Sequence, residues 1–129
     1  MDTSEIYIKM CEVAEEIQGA CPIDFKGYKP LFNGITYDEN AGDVFYYRGQ
    51  RKVWLPRQDQ LQEMVEIKDK LRSPLHILFF AFRAFVQNGD EDAWWDFRDE
   101  YKSFEQLWLT FVMQEKYEKK WDGEAWIKQ

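Results

Sequence analysis

The hydrophobic period of this chain switches from helical to extended and back again, and that switch bounds what it can fold into. Residues 34–55 read GITYDENAGDVFYYRGQRKVWL, short runs rich in Ile, Thr, Tyr, Phe, Val and Trp with turn residues at Asn40-Ala41-Gly42 and Arg48-Gly49. β-Branched and aromatic side chains suit a pleated, half-buried surface. The texture therefore predicts a three-stranded antiparallel meander at about 34–38, 43–48 and 51–55. Three short strands are stable only with a face packed against something else. Helical spacing lies on both sides of the meander, so the fold class is α+β.

Ahead of the meander, Ile6, Met10, Val13 and Ile17 recur at helical spacing, Asp2 with Glu5 forms a capping-box pattern, and Gly19 and Pro22 stop the run. A helix over 3–18 follows. Residues 19–33, GACPIDFKGYKPLFN, read as an ordered loop that crosses the core. Pro56 suits the first turn of a second helix, near 57–72, with Leu61, Met64, Val65 and Leu71 on one face. Ser73-Pro74 opens a third, near 74–87. Its run LHILFFAFRAFV is apolar nearly all round, which predicts the central, most buried element, ended by Asn88-Gly89. Ser103 with Gln106 caps a fourth helix, near 104–118, with Phe104, Leu107, Trp108 and Phe111 as its buried stripe. Asp122-Gly123 between Trp121 and Trp126 predicts a short C-terminal hairpin. The expectation is one domain over residues 1–129: about four helices packed on a small meander, plus that hairpin.

Charge and motif content remove several function classes. A net charge of −7 argues against direct nucleic-acid binding, which needs a basic footprint to displace counterions from phosphates. No apolar run approaches the ~20 residues that span a bilayer, and the first residues carry acids where a signal peptide carries bases. A cytoplasmic protein without a membrane partner is expected. Cys11 and Cys21 lie ten apart with no CxxC pair and read as free thiols. The single histidine, His76, lies in the most apolar run and reads as a core residue. One histidine and two isolated cysteines do not assemble a zinc site of standard spacing, so neither metal nor cofactor is expected. No GxSxG, P-loop, GxGxxG or HExxH pattern occurs. The 24 acids offer many carboxylate pairs for acid–base work, but nothing in the pattern selects one. No catalytic residue is assigned, and the chain reads as a non-enzyme.

Two stretches could recognise something. Tyr46, Tyr47 and the Trp54-x-Pro56 ending resemble the strands of a WW domain, which grips polyproline between aromatics, although that family's first Trp and middle-strand His are missing; a sheet with its aromatic face on the helices is the simpler reading. The second stretch is NGDEDAWWDFRDEY. Asp90, Glu91, Asp92, Asp96, Asp99 and Glu100 alternate there with Trp94, Trp95, Phe97 and Tyr101, and residues 89–103 carry six acids against two bases, a net of −4. It reads as a solvated acidic loop or as a ridge of carboxylates that imitates phosphates in a basic groove, with exposed aromatics as anchors. In the second case the partner-binding residues are Asp90, Glu91, Asp92, Trp94, Trp95, Asp96, Asp99 and Glu100.

The segments WLPRQDQLQEMV (54–65), HILFFAFRAFV (76–86) and SFEQLWLTFVMQEKYEKKWDGEAWI (103–127) resemble a family of small uncharacterised proteins of phages and prophages of Gram-positive bacteria. That family brings no established activity or site residue. The resemblance implies a host-cell cytoplasm and a protein that acts by binding. An acidic inhibitor of host nucleic-acid-handling or defence machinery, of the anti-CRISPR kind, is one expectation; an accessory or structural phage protein, or a small-molecule-binding module, is the other.

Overall fold

The computed structural model describes residues 1–22, 33–37, 42–49, 51–65, 74–87 and 102–129, with side chains for 77–86 in the helix that spans 74–87. Among these, the fold is α+β as expected. Its elements in chain order are α1 (Glu5–Glu12), α2 (Glu15–Gly19), β1 (Gly34–Tyr37), β2 (Val44–Arg48), β3 (Arg51–Leu55), α3 (Gln58–Glu63), α4 (Pro74–Gln87), α5 (Phe104–Tyr117), β4 (Lys119–Trp121) and β5 (Trp126–Lys128). The chain divides into two compact units, Met1–Arg57 with Trp121–Ile127, and Gln58–Lys120 with Lys128–Gln129.

In the first unit the meander forms as its turn chemistry requires, with order β1-β2-β3 and both pairings antiparallel. Gly49 sits at φ +65° in the β2–β3 turn, a conformation that costs other residues steric energy, and its N–H donates to Asn33 Oδ1 at 2.6 Å. The register puts Phe45 opposite Trp54 and Arg48 opposite Arg51. Side chains alternate between faces, so Ile35, Tyr46, Arg48, Arg51 and Val53 share one face and Phe45, Tyr47, Lys52 and Trp54 the other. Helix α1 packs against β3.

The helix expected over 3–18 is two helices. Ser4, not Asp2, is the N-cap: its hydroxyl accepts from Tyr7 N–H, while Asp2 Oδ1 accepts from Ser4 N–H at 2.8 Å. The break falls at Val13-Ala14. The Cys11 carbonyl, which a continuous helix would pair with the N–H of Glu15, instead accepts from Ala14 N–H at 3.1 Å and from Gln18 Nε2 at 3.0 Å. The buried face is Tyr7, Met10, Cys11, Ala14 and Ile17, whereas Ile6 and Val13, expected in the stripe, are exposed. Cys11 and Ala14 are small, and small side chains let the helix approach the sheet closely.

Gln18 fastens this arrangement. Its Oε1 accepts from Trp54 N–H at 2.8 Å and its Nε2 donates to Trp54 C=O at 2.9 Å, so one side-chain amide pairs the outward groups of edge strand β3 as a neighbouring strand would. Two further bonds close the unit: Tyr7 donates its hydroxyl to Pro56 C=O at 2.6 Å, and Trp126 donates its indole N–H to Met10 C=O at 2.9 Å. Pro56 thus precedes α3, which starts at Gln58, and does not sit in its first turn. Buried Asp43 faces Arg57 at 3.8 Å. Burial pushes the Cys11 thiol pKa well up, against the smaller opposing effect of its contact with the Tyr7 hydroxyl, so the thiol stays neutral.

The C-terminal hairpin forms where Asp122-Gly123 predicts it. Asp122 Oδ1 accepts from the N–H groups of Glu124 (2.8 Å) and Ala125 (2.7 Å), and these bonds hold its carboxyl below the usual value. The rings of Trp121 and Trp126 lie 5.0 Å apart.

In the second unit α3 packs on α5, and Phe82 of α4 stacks on Trp108 of α5 with centroids 4.0 Å apart and planes 6° from parallel. Ser103 caps α5 as expected, accepting from Gln106 N–H at 3.1 Å, and Gln106 Oε1 reaches back to accept from Lys102 N–H at 3.2 Å. The expectation that α4 is the most buried element is overturned. Phe79 is 59% exposed and Phe80 is also exposed, whereas Leu109, Phe111, Val112 and Met113 of α5 are fully enclosed. An apolar run covering the whole circumference of a helix marks no inner face; the rings of Phe82 and Phe85 meet Trp108 and Phe111 of α5, and Leu78 and Val86 are buried. Phe104, placed in the α5 stripe by its period, sits in the first turn and is exposed. No helix of the described residues is long and apolar enough to cross a membrane.

Candidate functional site: a charged groove beside the first helix

The acidic segment Asp90, Glu91, Asp92, Trp94, Trp95, Asp96, Asp99 and Glu100 lies outside the described residues, as do the loop 23–32 and the side chain of His76. Of the aromatics in the WW-like reading, Trp54 and Tyr47 are buried, Trp54 to 2% exposure, so they belong to the core, as the simpler reading expects. Tyr46 points the other way and lines a groove.

That groove lies within the first unit, between α1 and the sheet face that carries Ile35, Tyr46, Arg48 and Arg51. Its helix wall is Glu5, Ile8, Lys9 and Glu12, positions i, i+3, i+4 and i+7, which one helix face presents together. Thr3 and Val13 also line it. It is an open cleft of about 720 Å³.

The charges in it are unevenly answered. Arg51, a cross-strand partner of Arg48, makes a 2.8 Å ion pair with Glu12. Arg48 places its guanidinium 5.6 Å from the Tyr46 ring centroid. A hydrogen bond to the Tyr46 side chain, then the charges of that group and of Glu12, hold its pKa above an already high value, so Arg48 is charged at every working pH. Glu12–Arg51 and Asp43–Arg57 are ion pairs, and neither involves Arg48 or Lys9. Lys9 lies four residues after Glu5 and three before Glu12, spacings that favour pairing, but Glu12 turns to Arg51. The apolar floor is Ile8, Ile35 and the exposed Val13. No group of three or more metal-ligating side chains occurs among the described residues.

None of Lys9, Arg48 and Arg51 stands out in the sequence, where each reads as a solvated charge. The signal available is the turn: placing a two-residue turn after Arg48 sets it opposite Arg51. Comparison with known protein families, curated proteins and solved structures gives no match for the chain.

Proposed function

We propose that this protein acts by binding another protein and that the groove between α1 and the sheet is a recognition site for it. The supporting observation is the composition of the cleft: Arg48, Arg51 and Tyr46 at the rim of an apolar floor. Arginine and aromatic side chains carry a large share of the energy at protein interfaces. An open cleft, which strips a small ligand of little water, suits a segment of a protein better than a small molecule.

A second reading rests on the six carboxylates within residues 90–100. In it, the chain is an acidic phage-type inhibitor that occupies the basic groove of a host or phage protein through Asp90, Glu91, Asp92 and the aromatics beside them. The two contacts carry opposite charge, so one pair of variants separates them. Tagged intact chain is used to capture partners from a lysate of a Gram-positive host, identified by mass spectrometry, and the capture is repeated with Arg48→Glu and with the triple variant Asp90→Asn, Glu91→Gln, Asp92→Asn. Loss of a partner with the first variant alone supports the groove, and with the second alone the acidic segment. Every captured partner retained by both folded variants refutes both readings.

A further inference from the structure

Taking the groove as a recognition site, as proposed above, we infer that its occupant is an extended acidic peptide segment, with an Asp or Glu side chain held by Arg48 and Lys9 and a neighbouring apolar side chain on the floor. Like charges directly opposite on paired strands repel, and Arg48 and Arg51 are such a pair. Glu12 answers Arg51 at 2.8 Å, and the consequence falls on the other two cations. Arg48 lies over the Tyr46 ring and feels the charges of Glu12 and Glu5 without an ion pair to either, and Lys9, which also acts on Asp122, has no ion pair to either glutamate, so neither cation is fully answered. A guanidinium presents a planar fork that matches a carboxylate with two parallel N–H donors, and the ammonium of Lys9 adds a point charge from the opposite wall.

The sign and size of the charge select among anions. Three cations and two carboxylates line the cleft, a local balance of +1 in a chain of −7. A nucleic-acid strand brings a phosphate at every nucleotide and would meet Glu5, Glu12 and the field of the whole chain. A single carboxylate flanked by apolar residues meets the +1 locally and brings no further charge. Ile8, Ile35 and exposed Val13 give its neighbours a surface to cover.

The test uses the intact chain and fluorescence anisotropy. The probe is a fluorescein-labelled peptide with one Asp flanked by Leu in an otherwise uncharged Gly/Ser segment, compared with the same peptide carrying Asn, or Lys, in place of that Asp, and with single-stranded oligothymidylate as competitor. The Asp peptide should bind about tenfold more tightly than the Asn peptide, and Arg48→Ala should abolish that preference while Arg48→Lys keeps part of it. Arg48 is exposed, so its variants should melt with the unsubstituted chain. Binding of the Asn or Lys peptide equal to or tighter than the Asp peptide, no detectable binding of the Asp peptide, or its displacement by equimolar oligothymidylate would overturn the inference. Failure of the wider reading looks different: partners captured from lysate would be retained by both Arg48→Glu and Val13→Asp.

Discussion

Replacing Gln18 with Leu removes three hydrogen bonds while keeping the side chain's bulk. The amide bridges Cys11 C=O (3.0 Å), Trp54 C=O (2.9 Å) and Trp54 N–H (2.8 Å). A net contribution of about 0.5–1.5 kcal/mol per bond gives roughly 3 kcal/mol for the set. Gln18 is only half-buried, so water can reach part of the gap and keeps the loss below the full penalty for stranded groups. Gln18→Glu is the sharper variant. It keeps an acceptor for Trp54 N–H but turns a carboxylate oxygen toward two carbonyls, which raises its pKa in the folded state. A group raised in this way contributes fully below its unfolded value of about 4.3 and loses that contribution as pH rises through the folded value. The deficit of Gln18→Glu relative to the unsubstituted chain should therefore shrink on acidification from neutrality, whereas that of Gln18→Leu should not. Chemical denaturation followed by tryptophan fluorescence, with hydrogen exchange at the Trp54 amide, measures both. A loss under about 1 kcal/mol for Gln18→Leu with Trp54 protection unchanged would refute the clamp.

Phe82→Ala should cost about 3 kcal/mol, because its ring is stacked on Trp108 at 4.0 Å, whereas Phe79→Ala should cost under about 1 kcal/mol because that ring is 59% exposed; equal losses in thermal melts would contradict this division of α4. The Cys11 thiol is raised by burial, so its contribution to stability is full below the unfolded value of about 8.5 and falls above it by at most about 1.4 kcal/mol per pH unit. Cys11→Ala should flatten the alkaline slope of denaturation free energy between pH 8 and 10, and an unchanged slope would mean the thiol ionises in place.

The elements legible in the sequence are those with strong local chemistry. The meander appears within about two residues of its expected limits because Gly42 and Gly49 take positive φ where the turns need them and because strand residues lie between. The α5 start follows from Ser103, and the hairpin from Asp122-Gly123. Faces are harder to read than elements. The period in α1 favours Ile6 and Val13 on hydrophobicity, yet the sheet selects Tyr7, Cys11 and Ala14, since closeness to β3 rewards small side chains and Tyr7 has a specific acceptor in Pro56. The break between α1 and α2 depends on an amide from Gln18 reaching a carbonyl seven residues earlier and a strand 36 residues later. No window of 11–18 residues contains that information.

The groove was hidden for a related reason. Summed over the sequence, charge gives −7 and directs attention to the carboxylates of 89–103, but a sum discards position. Strand register brings Arg48 opposite Arg51, and helical phase turns Glu5, Lys9 and Glu12 to the same cleft, from separations of about 40 residues. The two scales act at different ranges. At physiological ionic strength the Debye length is about 8 Å, so the overall negative field slows the approach of an acidic segment yet is largely screened once the segment lies within a few ångströms of Arg48. Such a site should show a modest association rate at low salt that rises as salt screens the long-range repulsion, and a dissociation rate that rises with salt as the short-range pairing weakens. That opposition separates a local cationic groove in an acidic chain from a uniformly basic surface, where added salt slows association and hastens dissociation together.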